Sequence, residues 1–153
     1  MRKFLRSKKL FLKNKITNIF MKSGKKKTVE KILLKFVKTS QKSNNKKFET
    51  LFHSAIINTT PVFSVNTQVL KKGKRKSTKD VPSFLSNDSV RIKNSINFFK
   101  ESVVKEKKNE RMHKMLVKEV LNSSSTNSTS INKKSDVQNK VLLNRRYWSN
   151  FKW

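Results

Sequence analysis

The residues able to do chemistry in this chain are overwhelmingly cations. Thirty-eight Lys and Arg face nine Asp and Glu in 153 residues, a formal charge of +29. The densest runs are Lys25-Lys26-Lys27, the stretch 71–79 (KKGKRKSTK, six of nine residues basic) and Arg145-Arg146. Cations at that density suit phosphate, because each one brought against a phosphodiester releases a condensed counterion. Left unneutralised, they repel one another as the chain compacts. A charge run is often only a solvated loop. At 71–79 the density favours phosphate contact, and nucleic acid is the first candidate partner.

Other chemistry is poorly supplied. The chain has no Cys, which excludes disulfide frameworks and thiolate metal sites. His53 and His113 are its two histidines, and neither sits at a metal-ligand spacing. His53 falls beside an apolar stripe and reads as a surface or packing residue; His113 lies among basic residues and reads as facing RNA. Nine acids make a catalytic carboxylate pair hard to assemble, and Gly24-Lys25-Lys26 is a basic turn rather than a nucleotide-cradling Gly-rich loop. The expectation is a non-enzyme with no metal, no cofactor and no small-molecule substrate. No apolar run approaches the ~20 residues of a membrane span. The apolar stripes are short and separate, unlike the one broad face of a cationic membrane-binding helix, so no membrane partner is expected.

Composition adds an origin. Of the basic residues 31 are Lys and 7 are Arg, while Gly and Pro occur twice each and Ala once, at Ala55. Lys, Asn, Ile and Phe use A/T-rich codons, so the bias points to an AT-rich genome such as an organelle's. The first twenty residues, MRKFLRSKKLFLKNKITNIF, contain no acid. They fit a mitochondrial import sequence, or a basic arm running into a first helix. Helical spacing of Leu12, Ile16, Ile19 and Phe20 favours the arm.

The elements that must hold these cations follow from periodicity. A first helix is expected over Lys9–Met21, ending at Lys22-Ser23-Gly24. A second opens near Thr28, an N-cap residue type, with Val29, Ile32, Leu33, Phe36 and Val37 on one face. After a polar connection at 41–45, a third carries Phe48, Leu51, Phe52, Ala55 and Ile56. The texture changes at Thr59-Thr60-Pro61. Residues 62–70 alternate as a strand and Val81–Leu85 form a return strand that Pro82 confines to an edge. The basic run 71–79 becomes the tip of a hairpin. A fourth helix is expected over Ser89–Lys105 and a fifth over Glu110–Leu121. Residues 122–130, NSSSTNSTS, read as a surface loop, and the sequon Asn127-Ser128-Thr129 as chance. Ser135 with Gln138 makes a capping box for a last helix bearing Val137, Val141 and Leu142. The predicted class is mainly α: about six helices in a bundle with a basic β-hairpin between helices three and four. A basic arm, 1–13, precedes a single domain, 14–153, with the hairpin at about 62–85.

This order of elements resembles the small-subunit ribosomal protein seven family of bacteria and organelles. Ile19-Phe20-Met21 leading into Gly24-Lys25-Lys26 is similar to the family's first helix-turn-helix. Val81-Pro82 resembles its return strand; Lys133-Lys134 before Asp136-Val137, then Asn144-Arg145 and Phe151-Lys152-Trp153, resemble its last helix and ending. The hairpin tip keeps one glycine, Gly73, where the family commonly has two, and Arg91, Lys93 and Phe98 stand where it usually has an Arg pair and a Trp. The resemblance implies a structural constituent of the small ribosomal subunit. It would bind the 3′ major domain of the rRNA, help organise the subunit head beside neighbouring ribosomal proteins, and place its hairpin near exit-site tRNA and mRNA.

The rRNA-binding positions it implies are Lys22, Lys25, Lys26, Lys27, Arg91, Lys93, Arg111, Lys114, Lys133, Lys134, Arg145 and Arg146. Those of the hairpin tip, facing tRNA, mRNA or rRNA, are Lys71, Lys72, Lys74, Arg75, Lys76 and Lys79. A mitochondrial, organelle-encoded member is expected, with plastid as the alternative. A histone-like DNA-packaging protein of an organelle remains the rival reading, since the charge alone fits it.

Overall fold

The computed structural model describes residues 12–44, 47–72, 75–105 and 110–150. Among them, six helices surround one core, with an antiparallel hairpin between the third and fourth. Helix α1 covers residues 12–20. It is followed by α2 (Lys26–Ser43), α3 (Phe48–Thr59), β1 (Phe63–Lys72), β2 (Arg75–Phe84), α4 (Asp88–Lys105), α5 (Met112–Ser124) and α6 (Thr129–Leu143). A 3-10 turn, Arg145–Asn150, closes the described chain. The expected residues 1–11 of the arm and first helix, Asn45, Gly73, Lys74 and the 151–153 ending lie outside the described residues.

The core forms where the apolar stripes meet. Phe36 of α2 and Phe52 of α3 are buried, and Phe48 stacks on Phe52 with ring centroids 5.6 Å apart while Phe36 meets Phe48 edge-on at 5.2 Å. Ile96, Phe99 and Val103 of α4 and Met115, Leu116 and Val120 of α5 complete it. Helix α5 packs against α2, α3, α4 and α6 and is the hub of the bundle. Four expectations about the helices are corrected. Helix α2 starts at Lys26 with Lys25 as N-cap, and the Thr28 hydroxyl donates back to the Lys25 carbonyl (2.6 Å) instead of capping. The same helix runs through Ser43, absorbing part of the expected connection, since Gln and Lys are good helix formers. Leu142 of α6 is exposed, and only Val141 of the expected apolar set is buried.

The fourth correction is the largest. Residues 122–130 are not a surface loop. Helix α5 extends to Ser124 and α6 begins at Thr129, with Ser128, not Ser135, as its N-cap, accepting from the Ile131 amide at 3.2 Å. Ser123 and Ser130 are fully buried and Glu119 is only 4 % exposed. One Glu119 carboxylate oxygen accepts from the Ser130 amide (2.9 Å), the Ser130 hydroxyl (2.5 Å) and the Thr129 hydroxyl (3.2 Å). Ser130 reaches Ser102 of α4 at 3.1 Å, and Ser123 reaches Ser128 at 2.9 Å. A buried carboxylate at a helix N-terminus is stabilised by the orphan amides and the dipole there. The serines, polar in composition, are interior because each hydroxyl is satisfied.

In the hairpin, Phe63 pairs with Phe84 at the root and Lys72 with Arg75 at the far end, so only positions 73 and 74 lie between paired residues. The expected loop 71–79 is therefore mostly ladder. Backbone pairing needs no apolar side chains, so a polar and basic run can continue the ladder. The root is pinned to the bundle. Phe63 and Phe84 meet edge-on at 6.0 Å, the Leu85 amide donates to the Val62 carbonyl, and Arg91 of α4 donates through Nε to the Leu85 carbonyl at 2.6 Å while lying 5.4 Å from the Phe84 ring centre. The far end is weaker, since its Cα partners Lys71–Lys76 and Lys72–Arg75 carry like charges.

Glu119→Ala should lower the stability of the protein by roughly 1–3 kcal/mol, read as an earlier midpoint in urea unfolding with helicity otherwise retained; an unchanged midpoint would remove the carboxylate from its structural role. Arg91→Ala should speed amide exchange at Leu85 and along β2 while leaving α5 protected, because it frees the hairpin root and touches no core residue.

Candidate nucleic-acid interface

The structure divides the cations into those that hold the bundle together and those that face outward. Lysines from one helix cap another. Lys100 of α4 donates to the Ile19 carbonyl in the last turn of α1 (2.5 Å), and Lys134 of α6 to the Asn58 carbonyl in the last turn of α3 (2.8 Å). Cations placed there answer the unpaired carbonyls and the negative end of the helix dipole. Lys15 of α1 donates to the Ser89 carbonyl at the start of α4 (2.6 Å) and to its hydroxyl. Burial, with Lys93 adding repulsion, pushes the Lys15 ammonium below its ordinary value; burial alone does the same to Lys134. Lys133 pairs with Glu101 at 3.1 Å, its side chain largely covered. Of the positions expected to meet rRNA, then, Arg91, Lys133 and Lys134 have partners inside the protein.

The outward set begins at the α1–α2 turn. Lys22, Lys25, Lys26 and Lys27 are all exposed. They sit on a tight reversal in which Ser23 and Gly24 both take left-handed φ, 50° and 70°. Gly24 fits that conformation without a Cβ penalty. Helix α2 has no acid in its first turn and no side-chain cap, so three lysines crowd the positive end of its dipole. In isolation that arrangement is unfavourable; a polyanion relieves it.

The same helix carries a feature the sequence reading passed over. Lys27, Lys31, Lys35, Lys38 and Lys42 are exposed and fall at helical spacing opposite the buried Val29 and Phe36. At 3.6 residues per turn they fit within an arc of about 80° and span about 22 Å. The signal was present as i, i+4, i+8, i+11, i+15, but only the apolar face of that helix was read. This stripe continues onto the start of α5. Desolvation first, then the charges of Lys35, Arg111 and Lys114, hold the His113 imidazole below its ordinary pKa, which places all four in one electropositive neighbourhood. Arg111 and Lys114 are exposed.

A second group lies on α4, the hairpin and the 3-10 turn. Lys93 is exposed on the first turns of α4, and Lys76 on β2. Lys71, Lys72 and Arg75 occupy ladder positions at the far end, and Lys74 lies outside the described residues. Lys79, expected at the tip, is instead midway down β2, where its ammonium lies 4.2 Å from the centre of the Tyr147 ring in the 3-10 turn. Arg146 lies 4.9 Å from the same ring, and Arg145 and Arg146 are exposed. The Asn144 side chain and backbone amides both donate to the Lys140 carbonyl and fix the bend between α6 and this turn. His53 is exposed on α3. Among the described residues no three His, Asp or Glu come together as metal ligands.

What such a surface can do is bind phosphate along an extended path. It offers point charges on rigid helices, with little that could read base edges, an arrangement suited to contact with a phosphate backbone. Comparison with known proteins gives the family. A search of curated proteins returned no match. The family described as Ribosomal protein S7p/S5e matches residues 3–145, nearly the whole chain. It is a family of structural, RNA-binding proteins of the small ribosomal subunit and not of enzymes. With six helices, a hairpin between the third and fourth, and that match, the chain belongs to the S7p/S5e family of ribosomal proteins.

Proposed function

We propose that the chain anchors to the 3′ major domain of small-subunit rRNA through the lysine track that runs from the α1–α2 turn along α2 to the start of α5. The observation that carries this is the track itself: Lys22, Lys25, Lys26, Lys27, Lys31, Lys35, Lys38 and Lys42 are all exposed, and Arg111 and Lys114 adjoin it through His113. Lys93 on α4, with Arg145 and Arg146 in the 3-10 turn that packs against β2, adds further contacts. The hairpin then serves a separate purpose. Its ten-residue strands extend about 33 Å at the usual rise, and residues 66–69 of β1 are exposed. That reach suits contact with mRNA and exit-site tRNA as they pass the subunit head, beside neighbouring ribosomal proteins. A DNA-packaging role finds less support, because the charge alone suggests it, whereas the family match over residues 3–145 points to the ribosome. The codon-linked composition fits an organelle genome, and the drift from the bacterial family pattern favours a mitochondrial ribosome over a plastid one; fractionation of the tagged chain with mitochondrial small subunits would test it.

Electrostatic anchoring has a definite salt signature. With ~6–10 phosphate contacts, affinity for the rRNA should fall ~10³–10⁵-fold between ~50 and ~200 mM salt. Replacing Lys25, Lys26 and Lys27 by Gln should flatten the log–log slope by roughly 2–3 and reduce incorporation into subunits on a sucrose gradient. The corresponding change at Lys74, Arg75 and Lys76 should leave incorporation largely intact and alter mRNA or tRNA handling. If the hairpin variant alone failed to enter subunits, the hairpin would be the anchor.

His113 offers an independent probe. Its imidazole is held low by burial and by three cations; phosphates brought against those cations should raise it. A group whose pKa rises on binding takes up a proton. Affinity should therefore be greatest below the free-state value and weaken as pH rises through the bound-state value. NMR titration of the His113 ring with and without RNA reads this directly, and an unmoved pKa would place the RNA elsewhere.

A further inference from the structure

The geometry of the 3-10 turn points to a binding site that phosphate contact alone does not describe. We propose that Arg145 and Trp148 together clamp one unpaired nucleotide of RNA, the indole stacking on the base and the guanidinium holding an adjoining phosphate. The proposal rests on the RNA-binding reading above and gives it a specific chemistry.

In a 3-10 helix residues three apart eclipse. Arg145 and Trp148 stand at that spacing within Arg145–Asn150, so they share one side of the turn, and both are exposed, Trp148 by 37 %. Tyr147 lies off that side and is half-buried, with Lys79 of β2 over its ring. The turn is thus fastened at Tyr147, while its other side carries a large aromatic plane and a planar cation outward. Trp exposes its surface at a cost and tends to be covered in use. On that side the guanidinium of Arg145 stands beside it, and a partner that covers both must bring negative charge with its flat apolar face. An unpaired nucleotide brings both. Bases within a duplex are already stacked, and A-form grooves do not present their faces. Stacking on aromatic side chains is a general means of holding single strands without reading sequence. The turn would then grip RNA beside the middle of the hairpin, where Lys79 joins it to β2.

The test uses the full chain with Trp153→Phe, which leaves Trp148 as the single indole. Octauridylate, an RNA duplex and inorganic polyphosphate are titrated in parallel. Quenching of Trp148 fluorescence by the single strand, and not by duplex or polyphosphate, is expected. Trp148→Ala should weaken octauridylate binding roughly 5–150-fold with the salt slope kept. Trp148→Phe should restore most of that loss, and duplex affinity should not change. Arg145→Gln should instead flatten the salt slope by about one unit. Equal quenching by polyphosphate, or an Ala variant that binds the single strand as the parent does, would overturn the clamp. Loss of salt-dependent binding to every RNA by the parent chain would instead defeat the RNA-binding reading beneath it.

Discussion

The arrangement of the C-terminal half depends on one buried carboxylate. Glu119 lies in the hub helix α5 and gathers the amide of Ser130 with the hydroxyls of Ser130 and Thr129 at the first turn of α6. That fixes where α6 starts and, through Ser102, how it meets α4. Helix α6 in turn packs against β1, and the 3-10 turn that follows it packs against β2. The hairpin root and the basic-aromatic turn are therefore set in place from inside the bundle. In a chain of +29 a buried acid faces little competition from other acids for its partners, and its field offsets some of the surrounding repulsion.

Cations are used in two ways that composition does not separate. Lys15, Lys100 and Lys134 donate to carbonyls near helix ends on other elements, a use that needs the whole bundle to be formed. Lys27, Lys31, Lys35, Lys38 and Lys42 make a solvent-facing row whose mutual repulsion each turn of α2 has to carry. The protein tolerates the second group because the opposite face of α2 buries Val29 and Phe36 against α3 and α5. Apolar burial is spent here on holding like charges together, and the natural relief of that strain is a polyanion.

The hairpin shows the same division along its length. At the root, the Phe63–Phe84 contact and the Ser64–Ser83 hydroxyl bond (2.7 Å) clasp the two strands and Arg91 ties them to α4; outward, Thr67 meets Asp80 at 2.7 Å, and beyond them the ladder pairs lysine with lysine and arginine. A two-stranded ribbon is marginal in water by itself. Its root is defined by the bundle, and its far end is the part left most dependent on what it touches.

Much of this was legible in the sequence. The stripes Val29–Val37, Phe48–Ile56 and Ile92–Val103 determine three core helices, because side-chain periodicity is a property of the local chain. The alternation at 62–70 with Pro82 determines a hairpin, and the charge determines that the surface seeks phosphate. Tertiary structure decided the rest. Whether Ser123, Ser128 and Ser130 are loop or interior depends on partners that only the packed helices supply, and three serines look alike in sequence whether water, another hydroxyl, a carbonyl or a carboxylate satisfies them. Whether Lys134 or Lys35 meets RNA depends on which helix end lies beside it. The lysines of 71–79 lie in a ladder and not a loop because cross-strand register, fixed at the Phe63–Phe84 root, carries the pairing outward past residues that have no strand preference of their own. Local pattern sets the elements; the satisfaction of buried polar groups and helix ends, which only packing supplies, sets what each cation is for.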